Sequence, residues 1–419
     1  MGISSYMTRH RAVIGAWLAW AIGLSLFQYF VVSRLPARPV DRALGWTASQ
    51  TGLDERAVNA RLSVPFLAER VAWDSEFYLS IAIAGYEDPM VRKVVIPGLG
   101  AFSLNYAFMP GYPFAIRVAM APFRGFGVSE AGSAVIAGVA VSLISALFAA
   151  LALSRLAGGS KRREDEGTRA AWFLLVFPSG FFLAQVYTES LFLALALWAI
   201  AFARDRRWTV AAILASCAVL TRGAGVALVP AIAIVGAQRI GRVTRRVRAE
   251  SRRPRLSARE IIGIAEAIIV PLGVFAVWKL SYLGTRFDIV ERAFFGRILD
   301  PAASIRSWLA AFAAIGAGKG ETATYYLLEL LSLVAIVVST AQGARRHPDL
   351  AAFGVVAIAL AFFSVVPQGL VRYALSCPLV FVMASRYTGK RTAERAYTLA
   401  SVLLMAFLAV LFSLDMWVG

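Results

Sequence analysis

Apolar runs able to cross, or nearly cross, a bilayer recur eleven times along this chain. They fall at about 12–32, 130–155, 170–187, 189–203, 208–221, 224–237, 261–283, 324–341, 350–366, 369–386 and 396–416. In lipid every backbone N–H and C=O must be satisfied within the protein, so such runs become helices. The predicted fold class is an all-α polytopic membrane protein forming a single domain over 1–419. Composition agrees: 59% of residues are hydrophobic and 16% charged, with a mean hydropathy of +0.67. A soluble domain carries roughly 25% charged residues. A soluble enzyme and a disordered chain are both excluded. Several runs hold only about 14–16 residues, below the roughly 20 of a full span. Short spans point to a locally thin protein around a cavity. The first run lacks a small-residue cleavage site and reads as a retained anchor.

Basic residues set the orientation, because Lys and Arg concentrate in cytoplasmic connections. Thr8-Arg9-His10-Arg11 places the N-terminus in the cytoplasm. The stretch from Gln238 to Arg259, with nine Arg and one Glu, is the strongest cytoplasmic marker. Lys161-Arg162-Arg163, Arg204 to Arg207, Arg345-Arg346 and Arg386 to Arg395 fall on the same side if the runs alternate. The net charge of +18 therefore reads as topology marking and contact with anionic membrane lipids, not nucleic-acid binding. No aromatic interleaving accompanies the basic loop. Two outer loops remain, at about 33–129 and 284–322. Ala107 to Phe123 is apolar enough to insert, but a full crossing would turn the nine-Arg loop outward. It is expected as a partly inserted helix on the outer side. Of the 43 basic residues 38 are Arg, which with abundant Ala suggests a GC-rich genome.

The chemistry is narrowed by scarcity. The two Cys, Cys217 and Cys377, lie in apolar runs and form no zinc or CxxC spacing. The two His, His10 and His347, each lie beside Arg. Acid–base work falls to carboxylates and tyrosines.

Ionisable residues at membrane depth are functional candidates, and four groups occupy the outer ends of runs. The first is Val71-Ala72-Trp73-Asp74-Ser75-Glu76-Phe77-Tyr78. Helical spacing puts Asp74 and Tyr78 on one face. Asp74 is either a partly desolvated general base or the N-cap of an interfacial helix. The second is Asn105-Tyr106-Ala107-Phe108-Met109-Pro110-Gly111-Tyr112-Pro113, a rigid entry to the apolar segment or merely a kink. The third is Gln185-Val186-Tyr187-Thr188-Glu189-Ser190, where Glu189 is a site residue or a helix-dipole partner. The fourth is a pair of arginines, Arg222 in Leu220-Thr221-Arg222-Gly223 and Arg372 before Tyr373. Arg suits a phosphate at an interface, and equally a structural carboxylate or snorkelling. Together they describe an outward cavity near the headgroups, suited to a lipid-tailed anionic substrate with a polar head.

These residues resemble the PIG-V family, the second mannosyltransferase of GPI-anchor assembly. Trp73-Asp74 with Tyr78, Ile81-Ala82 and Gly85-Tyr86 is similar to its WD…F/Y…IA…GY signature. The segment from Asn105 to Pro113 is similar to N-F-A-F-F-P-x-[FY]-P, and Tyr187-Thr188-Glu189-Ser190-Leu191-Phe192 to its YTESLF turn. Leu220-Thr221-Arg222-Gly223 aligns with its R-S-N-G turn and Val371-Arg372-Tyr373 with its RY, in family order over roughly 70–385. Gly223-Ala224-Gly225 departs from the family's usual Ser-Asn-Gly.

The Arg- and Ala-rich composition suggests a bacterial member of the family. The resemblance implies a GT-C bundle, here with about 11 transmembrane helices as read from the apolar runs, plus the partly inserted one. It implies a polyprenyl-phosphate mannose donor and transfer on the extracytoplasmic face of the cell membrane. The expected reaction is inverting, giving an α-mannoside on a lipid-linked or glycan acceptor, with Asp74 as general base. Expected substrate contacts are Trp73, Glu76, Tyr78, Tyr106, Tyr112, Tyr187, Glu189, Arg222, Arg372 and Tyr373, with Glu76 the reserve base. No cofactor or metal is expected, since the leaving group is a lipid monophosphate and no DxD motif is present. The rival is a transporter or lipid flippase. Transporters often carry matched interrupted helices in each half, whereas the WD, YTES and TRG motifs each occur once.

Overall fold

A computed structural model describes residues 3–35, 67–124, 127–158, 164–250, 257–296, 299–317 and 320–418. The segment 36–66 of the first outer loop, Lys161-Arg162-Arg163, and Arg252, Arg253 and Arg255 lie outside the described residues. The helices in chain order are α1 (Ile3–Arg34), α2 (Asp74–Ala84), α3 (Gly111–Ala119), α4 (Ala121–Arg124), α5 (Glu130–Gly158), α6 (Glu164–Leu175), α7 (Glu189–Arg204) and α8 (Trp208–Thr221). They continue with α9 (Leu228–Glu250), α10 (Ala258–Leu280), α11 (Tyr282–Ala293), α12 (Pro301–Ala317), α13 (Gly320–Gly343), α14 (Pro348–Phe362), α15 (Leu370–Tyr373), α16 (Pro378–Tyr387) and α17 (Arg391–Ser413). The helical polytopic class expected from the apolar runs is the one observed.

The segment between α2 and α3 adds an element that an all-α reading misses. β1 (Lys93–Ile96) and β2 (Gly100–Ser103) form an antiparallel hairpin, with Lys93 opposite Ser103 and Ile96 opposite Gly100.

Six helical stretches among the described residues are long and apolar enough to cross a membrane: His10–Arg34, Glu130–Gly158, Gly223–Thr244, Ala258–Leu280, Gly320–Gly343 and Arg391–Ser413. The other runs are shorter. α8 has 14 residues and α14 has 15, about 21–23 Å at 1.5 Å per residue. The run at 170–187 is not one helix. It ends as α6 at Leu175 and continues as a 3₁₀ segment, Gly180–Ala184. Pro178 removes a backbone donor, and a Cβ on Gly180 would collide with the Leu175 carbonyl.

The bundle is knitted by small residues. α5 packs on α6 and α7, α7 on α8, and α8 on α10. Ala146, Ala149, Ala150 and Ala152 of α5, Ala196 and Ala199 of α7, and Ala211 and Ala215 of α8 are fully buried. Small side chains let helix backbones approach closely where lipid leaves no hydrophobic drive between helices.

Arginine clamps tie one end of the bundle. Arg204, ending α7, makes a bidentate pair with Asp349 at the start of α14, at 2.7 and 2.9 Å. Arg239 of α9 pairs with Glu260 of α10 at 2.7 Å. Ser257 caps α10 by accepting from the Glu260 N–H.

At the other end the short helices stop early. α7 starts at Glu189, α8 ends one residue before Arg222, α14 ends at Phe362 and α16 starts after Arg372. Their ends leave a recess, walled in by α2, by Ala107, Phe108 and Met109, and by α11. The nine residues of α3 extend about 14 Å, too short to cross the roughly 30 Å hydrocarbon layer. α3 packs instead on α2, α5 and α8. A Cβ on Gly111 would lie 2.7 Å from the Leu220 carbonyl oxygen, so glycine lets α3 press on the end of α8. The stretch 284–322 is largely folded into α11 and α12 rather than open loop.

Candidate active site

Asp74 opens α2, where the helix dipole favours a carboxylate. The preceding Trp73 has φ 53° and ψ −114°, a sparsely populated conformation for a bulky residue. Tyr187 holds both sides of this turn. Its hydroxyl donates to the Ala72 carbonyl at 3.1 Å and accepts from the Asp74 N–H at 3.3 Å. Arg117 of α3 secures the far end of α2, donating to the carbonyls of Ala82 at 2.7 Å, Ile81 at 3.2 Å and Ile83 at 3.3 Å. Asn105 secures its back, donating to Ser80 Oγ at 2.8 Å and the Gly85 carbonyl at 3.2 Å. The Asn105–Pro113 motif thus anchors the helix that carries Asp74.

Four charges alternate across the site. Arg372 Nη1 donates to Asp74 Oδ2 at 3.0 Å, and its Nε lies 3.4 Å from Glu189 Oε1. Arg222 Nη1 contacts the same Glu189 oxygen at 2.5 Å. The side chains of Arg372 and Glu189 are 4% and 3% exposed, while Asp74 is 19% exposed. The carboxylate left most open is therefore Asp74. Arg222 stacks over Tyr373 at 4.9 Å, and Arg372 lies near Tyr187 and Phe182 at 5.5 and 5.6 Å.

The charges line a cavity of about 850 Å³. Its polar wall carries Asp74, Thr188, Glu189, Arg222, Gln368 and Arg372; its apolar wall includes Phe275, Trp278, Phe287, Phe294 and Phe295. Tyr78 also faces the cavity. Burial first, and the neighbouring Asp74 next, push its hydroxyl pKa well above the ordinary value, so it stays a protonated donor.

Seven of the eleven site residues expected from sequence meet at this wall: Trp73, Asp74, Tyr78, Glu189, Arg222, Arg372 and Tyr373. The other four stand behind it. Tyr187 serves the Trp73 turn. Tyr112 bonds the Gly138 carbonyl at 3.1 Å and Ser142 Oγ at 2.7 Å. Tyr106 donates to Glu87 Oε1 at 2.7 Å, across from Tyr282. Glu76, two residues from Asp74, is buried on another face of α2 and is not on the cavity wall. Sequence reasoning missed Thr188, Gln368, Lys279 and Trp417, which also line the cavity, as does Glu291 of the stretch 284–322. Thr188 lies within the segment 185–190, and Gln368 lies four residues before Arg372. Trp417 carries no motif, and its place follows from a T-shaped contact with Trp73 at 5.1 Å.

The family model for the PIG-V mannosyltransferase matches residues 17–250. GPI mannosyltransferase 2 of Chaetomium globosum is 26% identical over 193 residues, covering 44% of this chain and 38% of that protein. The human GPI alpha-1,6-mannosyltransferase 2 is 30% identical over 141 residues, covering 33% of this chain and 26% of that protein. The matched part is thus well under half the length of either relative. An archaeal oligosaccharyltransferase from Archaeoglobus fulgidus, solved with an inhibitory peptide and a dolichol-phosphate, overlays at a TM-score of 0.43 and 12% identity, covering 96% of this chain and 56% of that one. The family match spans more than half of the chain and takes in Trp73, Asp74, Glu189 and Arg222; this chain belongs to the PIG-V mannosyltransferase family.

Proposed function

We propose that the protein transfers mannose from a polyprenyl-phosphate mannose to a lipid-linked or glycan acceptor on the extracytoplasmic side of the cell membrane. The observation that carries this reading is the Asp74–Arg372–Glu189–Arg222 chain at the wall of an amphipathic cavity. The cavity lies at the end of the bundle away from the arginine clamps. α7 leads from Glu189 to Arg204, and α8 leads from Arg207 back to Arg222. Arginine-rich ends face the cytoplasm, which supports an outward site.

In the proposed reaction the acceptor hydroxyl attacks the anomeric carbon of the β-linked donor. An acceptor-oxygen-to-carbon bond forms, the carbon-to-phosphate-oxygen bond breaks, and configuration inverts to an α-mannoside. Asp74 takes the hydroxyl proton. Arg372 faces the donor phosphate and balances its growing charge as it leaves; Arg222 supports it. Preorganised charge of this kind acts strongly in a site that excludes water. Glu189 holds the two arginines in register. Two guanidinium groups supply the positive charge that a metal supplies elsewhere, so we propose a metal-independent transfer. The lining by Phe275, Trp278 and Phe287 suits an isoprenoid chain or acceptor lipid.

The test is transfer of radiolabelled mannose from a polyprenyl-phosphate donor by purified protein in proteoliposomes, with the product lipid identified by mass spectrometry. Labelled product in wild type but not in Asp74→Asn protein supports the reading. Movement of the intact donor across the bilayer without product would instead favour a flippase.

A further inference from the structure

A buried carboxylate lies behind the arginine wall. Glu329 of α13 is fully buried, within the apolar run 324–341. A carboxylate at that depth is costly unless it is bonded. Its two oxygens accept from backbone rather than from a cation: Gly369 N–H at 2.7 Å and Val371 N–H at 3.1 Å. Among the described residues no arginine or lysine pairs with it.

Those N–H groups begin α15, the four-residue helix whose third residue is Arg372. The chain before it has an irregular path. Val365 has φ 72° and Gly369 φ 86°, and a left-handed β-branched valine is held only by its surroundings. One anchor is the start of α12, where Ser304 Oγ accepts from the Val365 N–H at 2.8 Å and the N–H of Asp300, just before the helix, donates to the Phe363 carbonyl at 3.1 Å. The second anchor is Glu329. Between them Ser364, Val366 and Gln368 face the cavity.

We propose that Glu329 is a positioning residue that fixes Arg372 through the backbone of residues 369–371. The proposal rests on the reading of Arg372 as the residue that faces the donor phosphate. The chain of action is short: Glu329 orients two N–H groups, the helix they open sets the Cα of Arg372, and its guanidinium bridges Asp74 and Glu189. The carboxylate is suited to the task because both oxygens accept. A glutamine offers one acceptor and turns an NH₂ toward the other N–H.

The experiment uses full-length protein in nanodiscs, comparing wild type with Glu329→Gln and Glu329→Asp. Hydrogen exchange at amides 369–371 reads the anchor, and steady-state transfer from polyprenyl-phosphate mannose reads its consequence. In Glu329→Gln these amides exchange about tenfold faster and the donor KM rises about tenfold, the scale of one hydrogen bond to a charged group. The acceptor KM stays near wild type, and Glu329→Asp, which keeps the charge, recovers part of the loss. A merely structural role would lower the folded yield and leave both KM values per folded molecule unchanged. Wild-type exchange at 369–371, or a wild-type donor KM, in Glu329→Gln overturns the proposal. If that variant does not fold, Glu329→Asp carries the same two readouts. If wild-type protein transfers no mannose, the donor reading fails. The exchange data then decide the anchor alone: faster exchange supports it and unchanged exchange removes it.

Discussion

Arg372 and Asp74 are 298 residues apart in sequence and 3.0 Å apart in space. The base proposed for the reaction is thus held, before substrate arrives, by the arginine proposed for the phosphate. Replacing Asp74 with Asn keeps the shape and removes the proton acceptor. Turnover should fall by about 10²–10⁴, the usual worth of a general base, with expression intact. Undiminished kcat in purified Asp74→Asn protein would remove Asp74 from the chemistry.

Tyr187 should matter without touching substrate. Its hydroxyl bridges Ala72 and Asp74 across the left-handed Trp73. Tyr187→Phe leaves the Asp74 N–H without its partner, at a cost of about 1–3 kcal/mol, while the Ala72 carbonyl keeps the Ser75 N–H. The expected result is a lower thermal midpoint together with a lower kcat, read by a thermal-shift assay and by transfer kinetics. Loss of stability with wild-type kcat would show that the turn does not set Asp74.

Glu189 holds the buried Arg372 and the partly buried Arg222. Removing one partner of a buried ion pair typically costs about 3–5 kcal/mol. Glu189→Gln should therefore destabilise strongly, and Arg222→Gln in the same chain should restore part of the loss. The check is denaturant or thermal unfolding of the single and double variants. Strict additivity would mean that the pair is not coupled.

The tight seat of α3 predicts a backbone effect. In Gly111→Ala the new Cβ meets the Leu220 carbonyl, displacing α3 from α8. Overpacking of this sort costs about 1–3 kcal/mol. Thermal unfolding should show the loss, whereas Gly273→Ala, where nothing lies within 4 Å, should be tolerated.

Transfer should also persist in excess EDTA, with no recovery to be gained from added Mg²⁺ or Mn²⁺. A chelator-sensitive rate restored by one of these ions would overturn the arginine account of charge stabilisation.

Much of this arrangement is legible in sequence because the bilayer makes polar residues conspicuous. Asp74, Glu189, Arg222 and Arg372 stand out against apolar runs, and arginine asymmetry puts them at one end. Tyr78 comes with Asp74 through helical spacing, and Trp73 through the family motif. What sequence does not carry is long-range partnership. Tyr106 and Tyr112 sit in a motif that looks like a binding segment, yet their hydroxyls serve Glu87, Gly138 and Ser142. Glu329 is as conspicuous as Asp74, but its partners are backbone N–H groups forty residues on, which no side-chain motif announces. Helix number is less legible still. Apolar runs mark where helices form, whereas Pro178 and Gly180 decide that 170–187 breaks, and the stretch 284–322 folds into α11 and α12 through contacts with distant elements.

The alternation of two acids and two bases has a consequence for the order of events. As drawn, the four groups sum to zero, so a singly charged phosphodiester meets no net repulsion on entry. When Asp74 takes the acceptor proton, that sum becomes plus one at the moment the departing phosphate gains its second negative charge. In the proposed reaction Arg372 loses the charge of one of its two carboxylate partners, Asp74, and keeps Glu189, just as a stronger anion appears beside it. In that reaction proton uptake and leaving-group stabilisation become one event, and return of the Asp74 proton to water restores the neutral site.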